Sequence, residues 1–125
     1  MKIAIVGSRN IDTLDIGIYL PKETTEIVSG GAKGIDSLAK KYALEHYIPI
    51  REFLPDYKRY RRGAPIKRNL QIIEYADTVL AFWDGTSKGT EHVIESCLKL
   101  NKPIVVYIID DKGNASLSND FSPST

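Results

Sequence analysis

The chain has 125 residues, of which 42% are hydrophobic and 26% charged, and this size and balance fit one globular domain with its own core. Its formal net charge of +1 excludes a protein that coats nucleic acid through overall charge, so electrostatic recognition would have to come from local clusters. A single cysteine excludes an internal disulfide, the opening residues show no signal-peptide pattern, and no apolar run is long enough to cross a bilayer. We therefore expect a cytoplasmic protein.

Short apolar runs alternate with helical patterns in the first half of the chain. Residues 3–6 form an unbroken apolar run that stops at Gly7, which is typical of a strand buried on both faces. Residues 12–20 are expected to form a helix, although their alternating apolar positions would also suit a strand. A second strand is predicted over residues 25–28. The clearest helix follows, over residues 35–46, because apolar residues recur along it at helical spacing.

The same alternation continues in the second half. A third strand, residues 48–53, contains a proline and an arginine and is therefore expected at a sheet edge. Residues 55–65 are predicted to form a loop, and a helix over residues 65–76 then follows. Its inward side chains are expected to be Ile66, Leu70 and Ile73. A fourth strand over residues 78–82 and a fifth over residues 104–109 flank a last helix, whose apolar face would carry Val93, Ile94, Cys97 and Leu98.

This order of elements predicts an α/β protein. Strands that alternate with helices form a parallel sheet covered on both faces, and right-handed crossovers then give a three-layer sandwich of five strands in the order 3-2-1-4-5. Ligands are expected at the carboxyl ends of the strands, between the first and the fourth. The domain covers residues 1–110. Residues 111–125 are rich in Asp, Ser, Asn, Gly and Pro, and we expect them to form a flexible C-terminal tail.

Two of the loops that follow predicted strands carry phosphate-binding features. The first is Gly7-Ser8-Arg9, where Arg9 would make a two-pronged bond to phosphate or would simply be a surface arginine. The second covers residues 29–36, where main-chain N–H groups at a helix start suit an anion, although the glycines would also serve a plain tight turn. Its predicted ligand-binding residues are Ser29, Gly30, Gly31, Gly34 and Asp36, although for Asp36 we favour a role in capping the helix start.

A third loop, after the fourth strand, has similar features. Its predicted ligand-binding residues are Gly85, Thr86, Ser87, Lys88, Gly89 and Thr90. Glu91 would contact ribose hydroxyls or act as a base, or would only suit the helix dipole. Trp83, which ends the strand beside this loop, would stack on a base or, as we favour, pack in the core.

A basic stretch lies between the third strand and the following helix. Six cations fall within the eleven positions 58–68, interleaved with Tyr57 and Tyr60, and this mixture suits single-stranded nucleic acid or a nucleotide base, as well as a solvated loop. Arg68 and Asn69 differ from the others because they lie near a helix start and would point across the crevice. The sequence has no metal-ligand spacing and no Walker or dinucleotide fingerprint, which argues against metal, kinase and dehydrogenase sites.

Four of these motifs occur in the order found in the SLOG superfamily. They are Gly7-Ser8-Arg9, residues 29–36, Arg68-Asn69 and residues 85–90, and the match covers about residues 2–109. The chain resembles this Rossmann-like superfamily, which includes the Lonely guy phosphoribohydrolases and DNA-processing protein A, and it is most similar to small stand-alone YspA-type members. The resemblance implies a pocket for a nucleotide derivative whose phosphate the glycine loops hold, with no cofactor, and a homo-oligomer.

We therefore expect the protein to bind a nucleotide-derived small molecule such as ADP-ribose, an NAD derivative or a nucleoside monophosphate, and no membrane. The first alternative is a phosphoribohydrolase-like N-glycosidase, with Arg68 and Glu91 as catalytic residues. The paired glutamates of those hydrolases are not matched here, because His92 and Val93 occupy their positions. The second alternative is binding of single-stranded DNA, which the resemblance to DNA-processing protein A implies, since that protein shares the signature of residues 29–36 and a pair like Arg68-Asn69.

Overall fold

The computed structural model describes residues 1–118, which form one six-stranded sheet with helices on both faces. The strands lie in the order β3-β2-β1-β4-β5-β6, and all neighbours are parallel except β5 and β6. Their bounds are Lys2–Gly7 (β1), Glu26–Ser29 (β2), Ile50–Glu52 (β3), Thr78–Trp83 (β4), Ile104–Ile109 (β5) and Ala115–Leu117 (β6). The predicted α/β class and the order of the first five strands are confirmed.

Four α-helices and two 3-10 turns connect the described strands. The α-helices are Ile35–Glu45 (α1), Tyr57–Tyr60 (α2), Ala64–Tyr75 (α3) and Lys88–Lys99 (α4). Local sequence explains two of the helix starts. Pro65 lies in the first turn of α3, where its missing N–H costs nothing, and α1 starts directly after Gly34, whose φ of +70° favours glycine. No helix within residues 1–118 is long and apolar enough to span a membrane.

The core lies in two layers, one on each face of the sheet. Ala4 and Val6 of β1 point to the layer that α3 and α4 cover, whereas Ile3 and Ile5 point to the layer that contains Ile35 of α1. This division follows from the alternation of side chains along a strand. Both faces of the central strands are therefore buried from solvent, as their unbroken apolar sequences predict.

The sheet has six strands instead of the predicted five. The sixth strand, Ala115–Leu117, pairs antiparallel with β5 through a turn at Asp110, whose carboxylate accepts the N–H groups of Lys112 and Asn114. The strand has only three residues, Ala115, Ser116 and Leu117, so its apolar alternation is too short to indicate a strand. It lies in the segment predicted as a tail. The rest of that segment, residues 119–125, lies outside the described residues, and the division of the chain at residue 110 stays a prediction.

Several predicted elements differ in extent or in orientation. Only Ile16–Tyr19, a 3-10 turn, forms where a longer helix was expected, and the predicted loop over residues 55–65 contains α2 and a second 3-10 turn at Arg61–Gly63. The prediction that Ile66 and Leu70 face the core is wrong, since Ile66 is 51% exposed and Leu70 is also exposed. The buried residues of α3 are Ala64, Asn69, Ile72 and Ile73. Leu98 of α4 is likewise exposed.

Candidate functional site

A cleft of about 660 Å³ opens at the carboxyl ends of the parallel strands. Its walls come from the loops after β1, β2, β3 and β4 and from the starts of α3 and α4. Since these loops are far apart in sequence, the strand order brings them together, as expected for a doubly wound sheet. Twelve of the predicted site residues line the cleft: Gly7, Ser8, Arg9, Gly30, Gly31, Asp36, Arg68, Asn69, Ser87, Lys88, Gly89 and Thr90.

Arg68 crosses from α3 to the loop after β2. Its Nη1 donates to the carbonyl oxygen of Gly30 at 2.7 Å, and its Nε donates to Oδ1 of Asn69 at 3.0 Å. A side chain at Gly30 would collide with this arrangement, because a Cβ there would lie 2.5 Å from Nη1 of Arg68 and 3.1 Å from Oδ2 of Asp36. The glycine therefore serves close packing of a charged side chain against the main chain.

Asp36 lies beside this contact and is only 7% exposed. Its Oδ2 accepts the N–H of Ala32 at 3.0 Å, which holds the turn before α1. Burial raises the pKa of Asp36 above its ordinary value, while the hydrogen bond from Ala32 and the charge of Arg68 lower it by less. The carboxylate is thus a buried acid on the wall of the cleft, held mainly by main-chain donors.

Asp84 organises the loop after β4. Its carboxylate accepts the N–H groups of Thr86 and Ser87 at 2.9 and 2.8 Å and the hydroxyl of Ser87 at 2.9 Å. Burial alone would raise the pKa of Asp84, but these hydrogen bonds and one with the hydroxyl of Ser8 lower it well below its usual range. The main-chain N–H of Asp84 in turn donates to Oγ of Ser8 at 3.0 Å, which joins the loops after β1 and β4.

The start of α4 faces the cleft with open donors. The first N–H groups of an α-helix have no partner within the helix, and here they belong to Lys88, Gly89 and Thr90. The side chain of Ser87, at the N-cap, makes no capping bond because it donates to Asp84. Thr90 is only 5% exposed and lines the cleft, and its hydroxyl has no hydrogen-bond partner among residues 1–118.

Asn69 links the cleft to α4. Its Nδ2 lies 3.4 Å from Nδ1 of His92, and Nε2 of His92 lies 3.5 Å from Oγ of Ser96. No sequence pattern connects these three residues, because their pairing depends on how α3 packs against α4. The chain of contacts orients Asn69, and through it Arg68.

Six predicted site residues do not line the cleft: Ser29, Gly34, Trp83, Gly85, Thr86 and Glu91. Trp83 packs in the core, and its Nε1 donates to the carbonyl of Ser87 at 3.0 Å. Glu91 lies 3.8 Å from Lys88 in an exposed ion pair. Gly34 has a packing role, since a Cβ there would lie 2.5 Å from the carbonyl oxygen of Ser8.

Other residues line the cleft without having been predicted to. They are Val6, Asn10, Ala32, Pro55, Tyr57, Pro65, Ile72, Asp84 and Val93. The position of Asp84, directly after a strand and before a glycine, was the available signal for its turn.

Within the described part of the chain, no group of three or more His, Cys, Asp or Glu side chains could hold a metal ion. Burial raises the pKa of the Cys97 thiol to about 12, which disfavours the reactive thiolate.

The fold and the cleft define a Rossmann-like α/β protein with a polar site at its strand ends. Residues 1–55 match the family model described as DNA recombination-mediator protein A. The chain is also 30% identical over 87 residues to the Gene 61 protein of Mycobacterium phage D29, a match that covers 65% of this chain and 70% of the phage protein. It belongs to the same family as that phage protein. The search of solved structures found no match.

Proposed function

We propose that the cleft binds a nucleotide-derived small molecule through its phosphate. The observation that carries the proposal is the meeting of Arg9, Arg68 and the open start of α4 in one cleft. Neither arginine forms an ion pair with any residue between 1 and 118, so Arg9 offers its charge to a ligand, whereas the charge of Arg68 also acts on Asp36. Helix starts and arginine side chains both favour phosphate groups.

In this proposal the phosphate lies among Arg9, Gly30, Gly31, Gly89 and Thr90. Arg68 and Asn69 lie nearer the sugar, where the fixed guanidinium would donate to ribose or phosphate oxygens. Candidate ligands are nucleoside monophosphates, ADP-ribose and NAD derivatives. We also propose that the chain is most similar to YspA-type proteins and that it assembles as a homo-oligomer. Sedimentation velocity tests the assembly.

A thermal-shift panel tests the proposal with AMP, ADP-ribose, NAD and cyclic ADP-ribose. A ligand at one hundred times its Kd adds about 2.7 kcal/mol of stability to the folded state. Arg9→Ala should remove most of the shift. Lys22→Ala is the matched control, because it also removes one exposed charge but lies before β2, outside the residues that line the cleft. If no ligand of the panel shifts the wild-type transition, the proposal is wrong.

A second candidate function is binding of single-stranded DNA, which the family match over residues 1–55 favours. The exposed cations Lys58, Arg59, Arg61 and Arg62 lie beside the cleft and form no ion pair with the described residues. Such a surface would bind an oligonucleotide with affinity that falls steeply as salt rises.

Fluorescence anisotropy with a labelled single-stranded oligonucleotide tests this candidate. The triple variant with Arg59, Arg61 and Arg62 changed to alanine should bind more weakly and with a shallower salt dependence. Lys22, Lys99 and Lys112, which are exposed and form no ion pair with the described residues, remove the same charge elsewhere when changed together to alanine, and this variant should bind as the wild type does. Equal binding by the two triple variants would rule out a specific role for the basic segment.

No observation on the cleft favours hydrolysis of an N-glycosidic bond, so that alternative stays a prediction. Glu91, its expected acid, is paired with Lys88 and does not line the cleft. Release of free base from AMP, lost in Glu91→Gln, would support it.

A further inference from the structure

Tyr57 is an exposed aromatic ring on the wall of the cleft. The residue is 60% exposed. Its side chain makes no ring contact and no hydrogen bond with any residue between 1 and 118. Two other tyrosines nearby are engaged: the ring of Tyr75 lies 5.5 Å from that of Phe53, and the guanidinium of Arg59 lies 5.3 Å from the ring of Tyr60. Both faces of the Tyr57 ring are therefore free of aromatic and cationic partners.

The main chain around Tyr57 is nevertheless held in place. Asp56 caps α2, because its Oδ1 accepts the N–H of Arg59 at 3.1 Å and its carbonyl accepts the N–H of Tyr60 at 2.9 Å. Pro55 and Pro65 also line the cleft. Their rings restrict the chain on both sides of the α2 segment. The exposed ring is thus presented from a fixed position, which lowers the entropy lost on binding.

The sheet places Tyr57 on the side of the cleft away from α4. Tyr57 follows β3 and the start of α4 follows β4, and β2 and β1 lie between these strands. Three spacings of about 4.8 Å separate β3 from β4 by roughly 14 Å. The β3 side of the cleft therefore offers the Tyr57 ring and Pro55, the start of α3 adds Pro65, and the side of β1 and β4 offers Arg9 and the N–H groups at the start of α4.

We propose that Tyr57, with Pro55 and Pro65, forms the nucleobase side of the cleft. The ligand is then a 5′-nucleotide unit whose base stacks on the Tyr57 ring while its phosphate lies toward α4. This inference rests on the proposed function. It adds the orientation of the ligand in the cleft and the position of the ligand's base. Because this wall offers ring faces and one hydroxyl, the larger purines should bind more tightly than pyrimidines.

Isothermal titration of the full chain with AMP and with ribose 5-phosphate tests this inference. Tyr57→Ala should weaken AMP about 5- to 150-fold, the range that stacking on one aromatic ring provides. Tyr57→Phe should stay within about twofold of the wild type, because the stacking face is kept. Ribose 5-phosphate, which has no base, should bind wild type and Tyr57→Ala equally. Tyr47→Ala is the control, because Tyr47 is 94% exposed and does not line the cleft.

The outcomes separate this inference from the proposed function. If AMP binds the wild type and Tyr57→Ala alike, the base lies elsewhere and the phosphate site stands. Equal weakening of AMP and ribose 5-phosphate by Tyr57→Ala would also overturn the inference, because the change would then act on the site as a whole. If neither compound binds the wild type, the nucleotide proposal and the base position both fail.

Discussion

Arg68 of α3 donates to the carbonyl oxygen of Gly30 at 2.7 Å, across 38 positions of sequence. This bond ties the helix before β4 to the glycine loop after β2. A guanidinium has five N–H donors, and two of them are used here, by Gly30 and by Asn69. The side chain is therefore fixed while donors remain for a ligand, which is the arrangement that favours tight binding of an anion.

Arg68→Ala should destabilise the fold as well as weaken ligand binding. Loss of the hydrogen bonds from a charged, half-buried group should lower the free energy of unfolding by about 1.5–3 kcal/mol. Urea denaturation followed by circular dichroism measures this change. Lys67→Ala is the neighbouring control, because Lys67 is exposed, forms no ion pair with the described residues and has only a contact at 5.7 Å with the ring of Tyr60, so it should change stability by less than about 1 kcal/mol. Similar effects of the two substitutions would contradict a specific role for Arg68.

Gly30→Ala should displace Arg68. The added Cβ would lie 2.5 Å from Nη1 of Arg68, so the guanidinium must move and its bond to the Gly30 carbonyl must lengthen or break. We expect a loss of about 1–3 kcal/mol of stability and weaker binding of AMP. Gly63→Ala is the control, since a Cβ at Gly63 would have no atom within 4 Å and its φ is −80°. That change should be neutral or stabilising by up to about 1 kcal/mol, measured by the same urea denaturation. A Gly30→Ala protein as stable as wild type would show that Arg68 can shift freely.

The position of the site could be predicted from sequence because it depends on topology. Strands and helices alternate clearly, and the polar loops after β1, β2 and β4 must then share one edge of the sheet. Gly7, Gly30 and Thr90 are brought to one cleft for this reason. This prediction needed only the order of strands and helices along the chain. Apolar runs such as residues 78–82 indicate the strands clearly.

The orientation of side chains could not be predicted in the same way. Ile66 and Leu70 have helical spacing with Ile73, yet α3 turns so that Asn69 meets His92 and Arg68 reaches Gly30, which leaves both apolar residues exposed. This choice depends on partners far away in sequence. Tertiary contacts of this kind override a local apolar pattern.

The role of Asp84 was equally hidden. A carboxylate in a loop proposed to bind phosphate suggests repulsion, but its oxygens are occupied by Thr86 and Ser87. The position of Asp84 between a strand and a glycine indicates a turn, but not that its carboxylate accepts the N–H groups of that turn. The strand β6 was missed because three residues are too few to show an apolar alternation, and its place in the sheet depends on main-chain pairing with β5.

Asp84→Ala should loosen the loop after β4. Its loss leaves the N–H groups of Thr86 and Ser87 without their acceptor and should reduce the free energy of unfolding at pH 7 by about 1–2 kcal/mol. The pKa of Asp84 is lowered in the folded protein, so its stabilising contribution is present above the unfolded value near 3.8 and is lost as pH falls through the folded value. The difference between wild type and variant should therefore shrink below about pH 3.8. Asp111→Ala, an exposed acid in the turn before β6, should show neither effect.

Asp36→Asn should show the opposite dependence on pH. Burial raises the pKa of Asp36, so the folded protein binds a proton more readily than the unfolded chain does. The stability that this provides is present below the unfolded value of 3.8 and is lost as pH rises through the higher folded value. Asparagine does not titrate, and its oxygen can still accept the N–H of Ala32. The variant should therefore gain stability relative to wild type as pH rises from below 3.8 to 7.

Asp77→Asn is the matched control, because its effect on stability should change with pH in the opposite direction. The N–H of Lys2 donates to Oδ2 of Asp77 at 2.7 Å and lowers the pKa of that carboxyl, so its contribution is present above 3.8 and is lost as pH falls. Urea denaturation of both variants between pH 3 and pH 7 should give differences from wild type that change in opposite directions. Since the charge of Arg68 lowers the pKa of Asp36, the Asp36→Asn difference should be larger in the Arg68→Ala background. Parallel stability curves for wild type and Asp36→Asn would mean that Asp36 titrates in the folded protein as it does in the unfolded chain.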